Sequence, residues 1–120
     1  ERYLAGGHPV ENVTISSDGG GCLPVFNEQG EIAGLDYARS SALPNTLKQL
    51  LARGAQLEHV LPAFTSNVAK ILRLHRKGQI GMGLDADLIL LGNDDLPASV
   101  MCQGIWHVQD HTQIIKGTFE

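Results

Sequence analysis

The period of the apolar residues changes twice along this chain of 120 residues. From Ser41, Leu43, Leu47, Leu50 and Leu51 fall at i, i+4, i+7 and i+8, which is one face of an α-helix, and Gly54 is placed to end it. Leu57, Val60, Leu61 and Phe64 repeat the stripe, although Pro62 lacks a backbone donor and predicts an early end or a kink. Thr65-Ser66-Asn67 offers capping side chains for a third helix with Val68, Ile71 and Leu72 as its apolar face. Lys70, Arg73, Arg76 and Lys77 lie toward its C-terminal end, where the helix dipole favours cations, and Gly78 closes it. Outside this stretch the pattern is that of strands. A β-branched run from Asn12 to Ser17 stops at Asp18-Gly19-Gly20-Gly21. Past Gly83, three segments read as strands: Asp87 to Gly92, Val100 to Val108 with Gly104 interrupting it, and Thr112 to Lys116. The last two can pair across Gln109-Asp110-His111. Residues 22–36 fit a long loop or a small hairpin across Asn27-Glu28-Gln29-Gly30, and the loop is the preferred reading. The fold class expected is α+β.

Composition removes several function classes. With 42% hydrophobic residues and 18% charged, the chain has the makings of an ordered core, and its length suffices to bury roughly 65% of the unfolded surface. Nine Lys and Arg are scattered along a chain of net charge −4, so neither nucleic acid nor an anionic membrane surface is an expected partner. No apolar run approaches the ~18 residues of a membrane span. Cys22 and Cys102 form no CxxC pair and suit reduced thiols in a cytoplasmic protein, with a disulfide between them as the lesser alternative. Residue 1 is Glu and the methionines are Met82 and Met101, so the chain reads as a fragment.

Most of the chemistry-bearing residues have ordinary explanations. His107 and His111 have i, i+4 spacing, which joins two imidazoles on one face only in a helix, and their segment reads as strand and turn. His8, His59 and His75 are isolated. Gly81-Met82-Gly83-Leu84 lacks the spacing of a dinucleotide loop, and no Lys-Ser/Thr follows it to hold phosphate. Asp85, Asp87, Asp94 and Asp95 do not fit a calcium loop and read as solvated turns. Asp18 differs. A carboxylate at the end of a β-branched run, followed by glycines that allow backbone to approach a ligand, is where α/β folds place catalytic groups; the competing explanation is an ordinary Asp-Gly turn. Such a carboxylate can ligate a hard cation and accept a proton, but a zinc site needs three or four protein ligands.

Thr65-Ser66-Asn67-Val68-Ala69-Lys70, Lys77-Gly78-Gln79-Ile80 and Gly83-Leu84-Asp85-Ala86-Asp87-Leu88-Ile89-Leu90-Leu91 together resemble the C-terminal signature of the amidohydrolase superfamily. Within it, Val13-Thr14-Ile15-Ser16-Ser17-Asp18-Gly19 and the terminal Lys116-Gly117-Thr118-Phe119-Glu120 resemble the isoaspartyl dipeptidases, and the likeness runs over nearly the whole chain from Val13. The resemblance implies the last strand and helices of a (β/α)₈ barrel over residues 1–77 and the C-terminal strands of a small β-sandwich over 78–120. It implies a hydrolase for β-aspartyl dipeptides with two zinc ions per site in the intact enzyme, and none held by this chain alone. Asp18 matches the family's last metal-site residue, which ligates the more exposed zinc and relays a proton from the attacking hydroxide to the leaving amine. A serine four residues later helps hold substrate in the family; here that position is Cys22, a weaker donor. The family's other ligands, an HxH pair, a modified lysine and two histidines, are expected upstream, and the isolated chain is expected to be inactive. The expected partners are the dipeptide and either a second copy of the chain or the N-terminal part. Two alternatives stand beside this: another amidohydrolase, dihydroorotase-like or an N-acyl deacylase, and a non-catalytic module that self-associates through its leucine faces.

Overall fold

The helices fall where the leucine stripe places them. The computed structural model describes residues 2–117, the side chain of Leu4 excepted. Helix α1 spans Arg2–Ala5, α2 Ala42–Ala52, α3 Leu57–Val60 and α4 Ser66–Ile71, with 3₁₀ turns at Val10–Asn12 and Leu61–Phe64. Helix α2 buries Leu47 and half-buries Leu43, Leu50 and Leu51. Gly54, at φ 86°, closes it: its N–H donates to the Leu51 carbonyl at 2.9 Å and that of Ala55 to Leu50 at 3.0 Å, the paired bonds of a Schellman cap. Pro62 has the expected effect, since α3 lasts four residues before the chain tightens into the 3₁₀ turn.

Helix α4 departs from expectation in length, face and cap. It ends at Ile71 rather than near Lys77 because a second Schellman cap forms early: Arg73 N–H donates to the Lys70 carbonyl at 3.2 Å and Leu74 N–H to Ala69 at 2.8 Å. The left-handed position of that cap, usually a glycine's, is held by Arg73 at φ 55°, so no residue in the sequence announces it. The buried residues of α4 are Asn67 and Ala69, while Ile71 and Leu72 are exposed. Thr65 does not cap the helix either; its hydroxyl donates to the Leu61 carbonyl at 2.9 Å.

Residues 22–36, preferred as a loop, form a hairpin. Strand β1 (Cys22–Phe26) pairs antiparallel with β2 (Ile32–Tyr37), Cys22 opposite Tyr37 and Pro24 opposite Leu35. Asn27 organises the turn, its Oδ1 accepting from the N–H groups of Gln29 and Glu31 at 3.0 and 2.9 Å, and Gly30 at φ 79° completes it. The C-terminal residues build a meander β3-β4-β5-β6 from Leu88–Leu91, Pro97–Cys102, Ile105–Gln109 and Thr112–Gln113. What reads as one interrupted strand from Val100 to Val108 is two, joined by Gln103 and Gly104 at φ 48° and 80°. The tail strands pair across Asp110 and His111, also both at positive φ, in the primed geometry that two-residue hairpins require.

The β-branched run from Asn12 to Ser17 is not a strand of either sheet. A strand is defined by its ladder, and among the described residues none pairs with this run. Its backbone is satisfied otherwise: Ile15 N–H donates to the Ala63 carbonyl at 3.0 Å, and the Asn67 side chain donates to the carbonyls of Val10 and Val13 at 2.8 and 2.9 Å. The expected core is thin as well. Among the described residues, Ala38, Leu47, Val60, Ala63 and Ala69 are the buried apolar ones, and no large side chain is fully buried. The accessible surface is 9159 Å², nearly half as much again as the about 6,300 Å² of a compact protein of this mass. The radius of gyration, 16.8 Å, likewise exceeds the about 14 Å of a compact chain of this length.

Candidate active-site loop

Asp18 sits on a turn built by its neighbours' side chains. Its N–H donates to Ser16 Oγ at 3.1 Å, and that of Gly19 donates to Ser17 Oγ at 3.2 Å. Its φ of 50° is left-handed, a conformation aspartate tolerates because its short polar side chain bonds locally. Five other non-glycine residues among those described share positive φ, all at turns or caps, so this feature alone does not mark a site. The glycines after it are structured rather than loose. Gly21 N–H donates to the Asp18 carbonyl at 2.7 Å, Gly20 N–H to the Ala38 carbonyl at 2.9 Å, and Ala38 N–H returns to the Gly21 carbonyl at 2.8 Å. Ala38 is buried and clamps the loop to the end of β2.

Gly21 is required by the Asp18 side chain. A Cβ there would lie 2.7 Å from Asp18 Cγ and 2.9 Å from its carbonyl oxygen, so the carboxylate rests in space that any other residue would fill. The carboxylate itself is exposed to solvent. Cys22, four residues on, opens β1 with its thiol free and exposed, directly across from Tyr37. Beyond the clamp, the Arg39 guanidinium carbon stands 4.9 Å from the Tyr37 ring centroid, and the Ser40 nitrogen would lie 3.8 Å from a Cβ on Gly19. Asp18 on the loop and Cys22 at the start of β1 are thus separated by the three glycines alone. The roles of Gly21, Ala38 and Arg39 have no separate sequence signal: a glycine run reads as flexibility, and a lone arginine before a helix is unremarkable.

No group of three or more His, Cys, Asp or Glu side chains among the described residues is arranged to hold a metal ion. His107 lies on β5 and His111 in the following turn, the strand-and-turn placement expected of them. No helix among the described residues is long and apolar enough to cross a membrane.

The aspartates near β3 correct one expectation. Asp85 and Asp87 are not merely solvated turn residues but form an ion-pair clamp with the two cations expected at the end of α4. Arg76 Nε donates to Asp85 Oδ1 at 2.7 Å, Lys77 Nζ to Asp85 Oδ2 at 3.2 Å, and Lys77 also bonds Asp87. Asp87 further accepts the Gln103 N–H at 2.7 Å, tying the segment after α4 to the β4–β5 turn. Asp85 is held below the usual carboxylate range first by Arg76 and then by Lys77; Asp87 is lowered first by Lys77 and then by the Gln103 amide. Lys77 is raised, chiefly by Asp87. Opposite charges are balanced within the cluster, so it is a structural clamp between the Arg76-Lys77 and Asp85-Ala86-Asp87 segments.

No protein-family model matches the chain. Among the solved structures that resemble it are two of β-aspartyl dipeptidase from the thermophilic, keratin-degrading Fervidobacterium islandicum AW-1. One, solved in complex with a β-Asp-Leu dipeptide, superposes with a TM-score of 0.84 at 36% identity over 98% of this chain and 31% of its own. The other superposes at 0.76 with 31% identity over 98% of this chain and 28% of its own. The chain spans about a third of the length of these proteins. In sequence and in fold together, nearly the whole of this chain is similar to about a third of the length of a β-aspartyl dipeptidase.

Proposed function

We propose that the chain is the C-terminal portion of a zinc-dependent hydrolase of β-aspartyl dipeptides, with Asp18 as a metal ligand and proton carrier and Cys22 as a substrate contact. The observation that carries this reading is 36% identity with a β-aspartyl dipeptidase over 98% of the chain. In this reading residues 1–77 are the last strand and closing helices of a barrel, and 78–120 are strands of a small sandwich. The extra surface supports it, since an unpaired extended run at 13–18 and a thin core are what remain when the rest of a barrel is taken away. Two free cysteines suit a cytoplasmic setting.

The described residues do not by themselves fit a zinc ion, because one carboxylate is not the three or four ligands a site needs. Zinc would supply Lewis-acid polarisation of the scissile carbonyl once the remaining ligands were present. The chemistry assigned to this chain is proton movement. The exposed Asp18 carboxylate, seated over Gly21, accepts the proton of the attacking water and returns it to the departing amine. In the intact protein, Asp18→Asn is expected to lower kcat on a β-aspartyl dipeptide by about 10²- to 10⁴-fold, the range for loss of a positioned acid–base group. A near-normal rate in that variant removes Asp18 from the mechanism. The isolated 120-residue chain with added zinc is expected to give no turnover.

A further inference from the structure

We infer that the β1–β2 hairpin is a self-association surface, which packs its apolar face against the same face of a second copy of this protein, independently of the reaction assigned above. In an antiparallel pair, residues directly opposite one another share a face. The register therefore puts Cys22 with Tyr37, Pro24 with Leu35 and Phe26 with Ile32 on one side, and none of the six carries a charge. The other side is mixed, with Leu23 opposite Asp36 and Val25 opposite Gly34. Every residue of both strands is exposed, Leu35 at 70%, Ile32 at 65%, Phe26 at 59% and Tyr37 at 58%. A two-stranded ribbon is marginal in water until one of its faces is packed.

Area and charge select a second copy as the occupant. At these exposures Phe26, Ile32, Leu35 and Tyr37 together present roughly 500 Å² of apolar surface, toward the upper end of the largest patch on a monomer. Two such faces brought together bury roughly 1,000 Å², which reaches the area a specific interface needs. Pro24 and Leu35 stand at the middle of the face. A two-fold axis through them runs the two hairpins antiparallel, so that the base of each lies against the tip of the other. The base ends in Arg39, whose guanidinium carbon is 4.9 Å from the Tyr37 ring centroid, while the tip carries Glu28 and Glu31. Opposite charges then meet at both ends of the pair, around a centre free of charge. An uncharged centre inside a complementary polar rim is the anatomy of a homodimer contact.

Sedimentation velocity of the intact protein over a range of concentrations reads the association. The wild type is expected to self-associate. Leu35→Glu, which sets two carboxylates beside the axis, should raise the dissociation constant by about 100-fold or more and step the assembly down to a smaller species. Val25→Glu, on the opposite side of the hairpin, should change it by less than about threefold. Arg39→Glu should weaken association by about 10-fold, and adding Glu31→Arg to that variant should recover most of the loss. This exposed pair carries the test should Leu35→Glu not fold. A monomeric wild type, a Leu35→Glu assembly of wild-type size, or equal losses for Leu35→Glu and Val25→Glu overturns the assignment. So does an Arg39→Glu loss that Glu31→Arg leaves unrepaired. A lower melting temperature for Leu35→Glu at unchanged assembly size also overturns it, because the face is then covered by the same polypeptide.

Discussion

Replacing Asn67 by alanine removes a buried side chain of helix α4 that fastens the segment leading to Asp18. Asn67 is 6% exposed, and its Nδ2 donates to the carbonyls of Val10 and Val13 at 2.8 and 2.9 Å. Each lost bond costs about 1 kcal/mol, and the carbonyls left without a partner add a share of their desolvation, so the segment is loosened by about 2–3 kcal/mol. The next residue tied down along the same run is Ile15, whose N–H donates to the Ala63 carbonyl. Hydrogen exchange at the Ile15 amide of the intact protein reads the opening of this segment, and 2–3 kcal/mol corresponds to exchange faster by about 30- to 150-fold. Asn67→Asp is the isosteric companion. It puts a carboxylate where a donor is needed, and facing two carbonyl oxygens raises that group's pKa above its unfolded value. Its folded state then binds the extra proton, so the Asn67→Asp deficit should shrink as pH falls and grow as pH rises. Ile15 exchange within about threefold of wild type in Asn67→Ala would refute the claim that this side chain anchors the segment.

Gly21→Ala places a Cβ in the space the Asp18 carboxylate occupies and 2.9 Å from the Asp18 carbonyl oxygen, so it should cut activity of the intact protein by about 10- to 100-fold and also lower the melting temperature. Gly78→Ala adds backbone strain. At φ 83°, with the new Cβ 2.7 Å from Ala69 Cβ and 3.1 Å from the Thr65 carbonyl, it should destabilise by about 2–4 kcal/mol in denaturant unfolding. The Lys77–Asp85–Asp87 clamp has a defined pH window. The lowered Asp85 and Asp87 contribute stability above the ordinary carboxylate value of 3.8 that is lost as pH falls through their folded values. The raised Lys77 contributes below its ordinary 10.5 and loses that as pH rises through its folded value. Asp87→Asn should therefore lower the melting temperature at neutral pH and flatten its fall toward pH 3.

The helical half of the fold was largely legible, and so was the C-terminal meander. Leucine spacing at 43, 47, 50 and 51 specifies an amphipathic helix by geometry alone, and Gly54 supplies the cap that ends it. The length of α4 was hidden because Arg73 takes a glycine's role in its cap, and its buried face because Asn67 and Ala69 face a segment more than fifty positions away in sequence. The hairpin at 22–37 was obscured by proline and glycine inside its strands, both exposed enough to tolerate them. At the candidate site, Asp18 and Cys22 could be singled out because their spacing matches a family pattern. The Ala38 clamp could not, because it reaches the loop only through the β2 strand that returns to it.

Local period and cap residues determined the helices and the C-terminal strands, and short motifs the likeness to the β-aspartyl dipeptidases, because each depends on residues near one another in the chain. The tertiary structure alone decided that the extended run at 13–18 is fastened by Asn67 and the Ala63 carbonyl, that Lys77 meets Asp85 and Asp87, and that Ala38 clamps the Asp18 loop. Those contacts join residues that are distant in sequence, and their partners are chosen by backbone hydrogen bonds and packed volume, which hydrophobic periodicity does not encode.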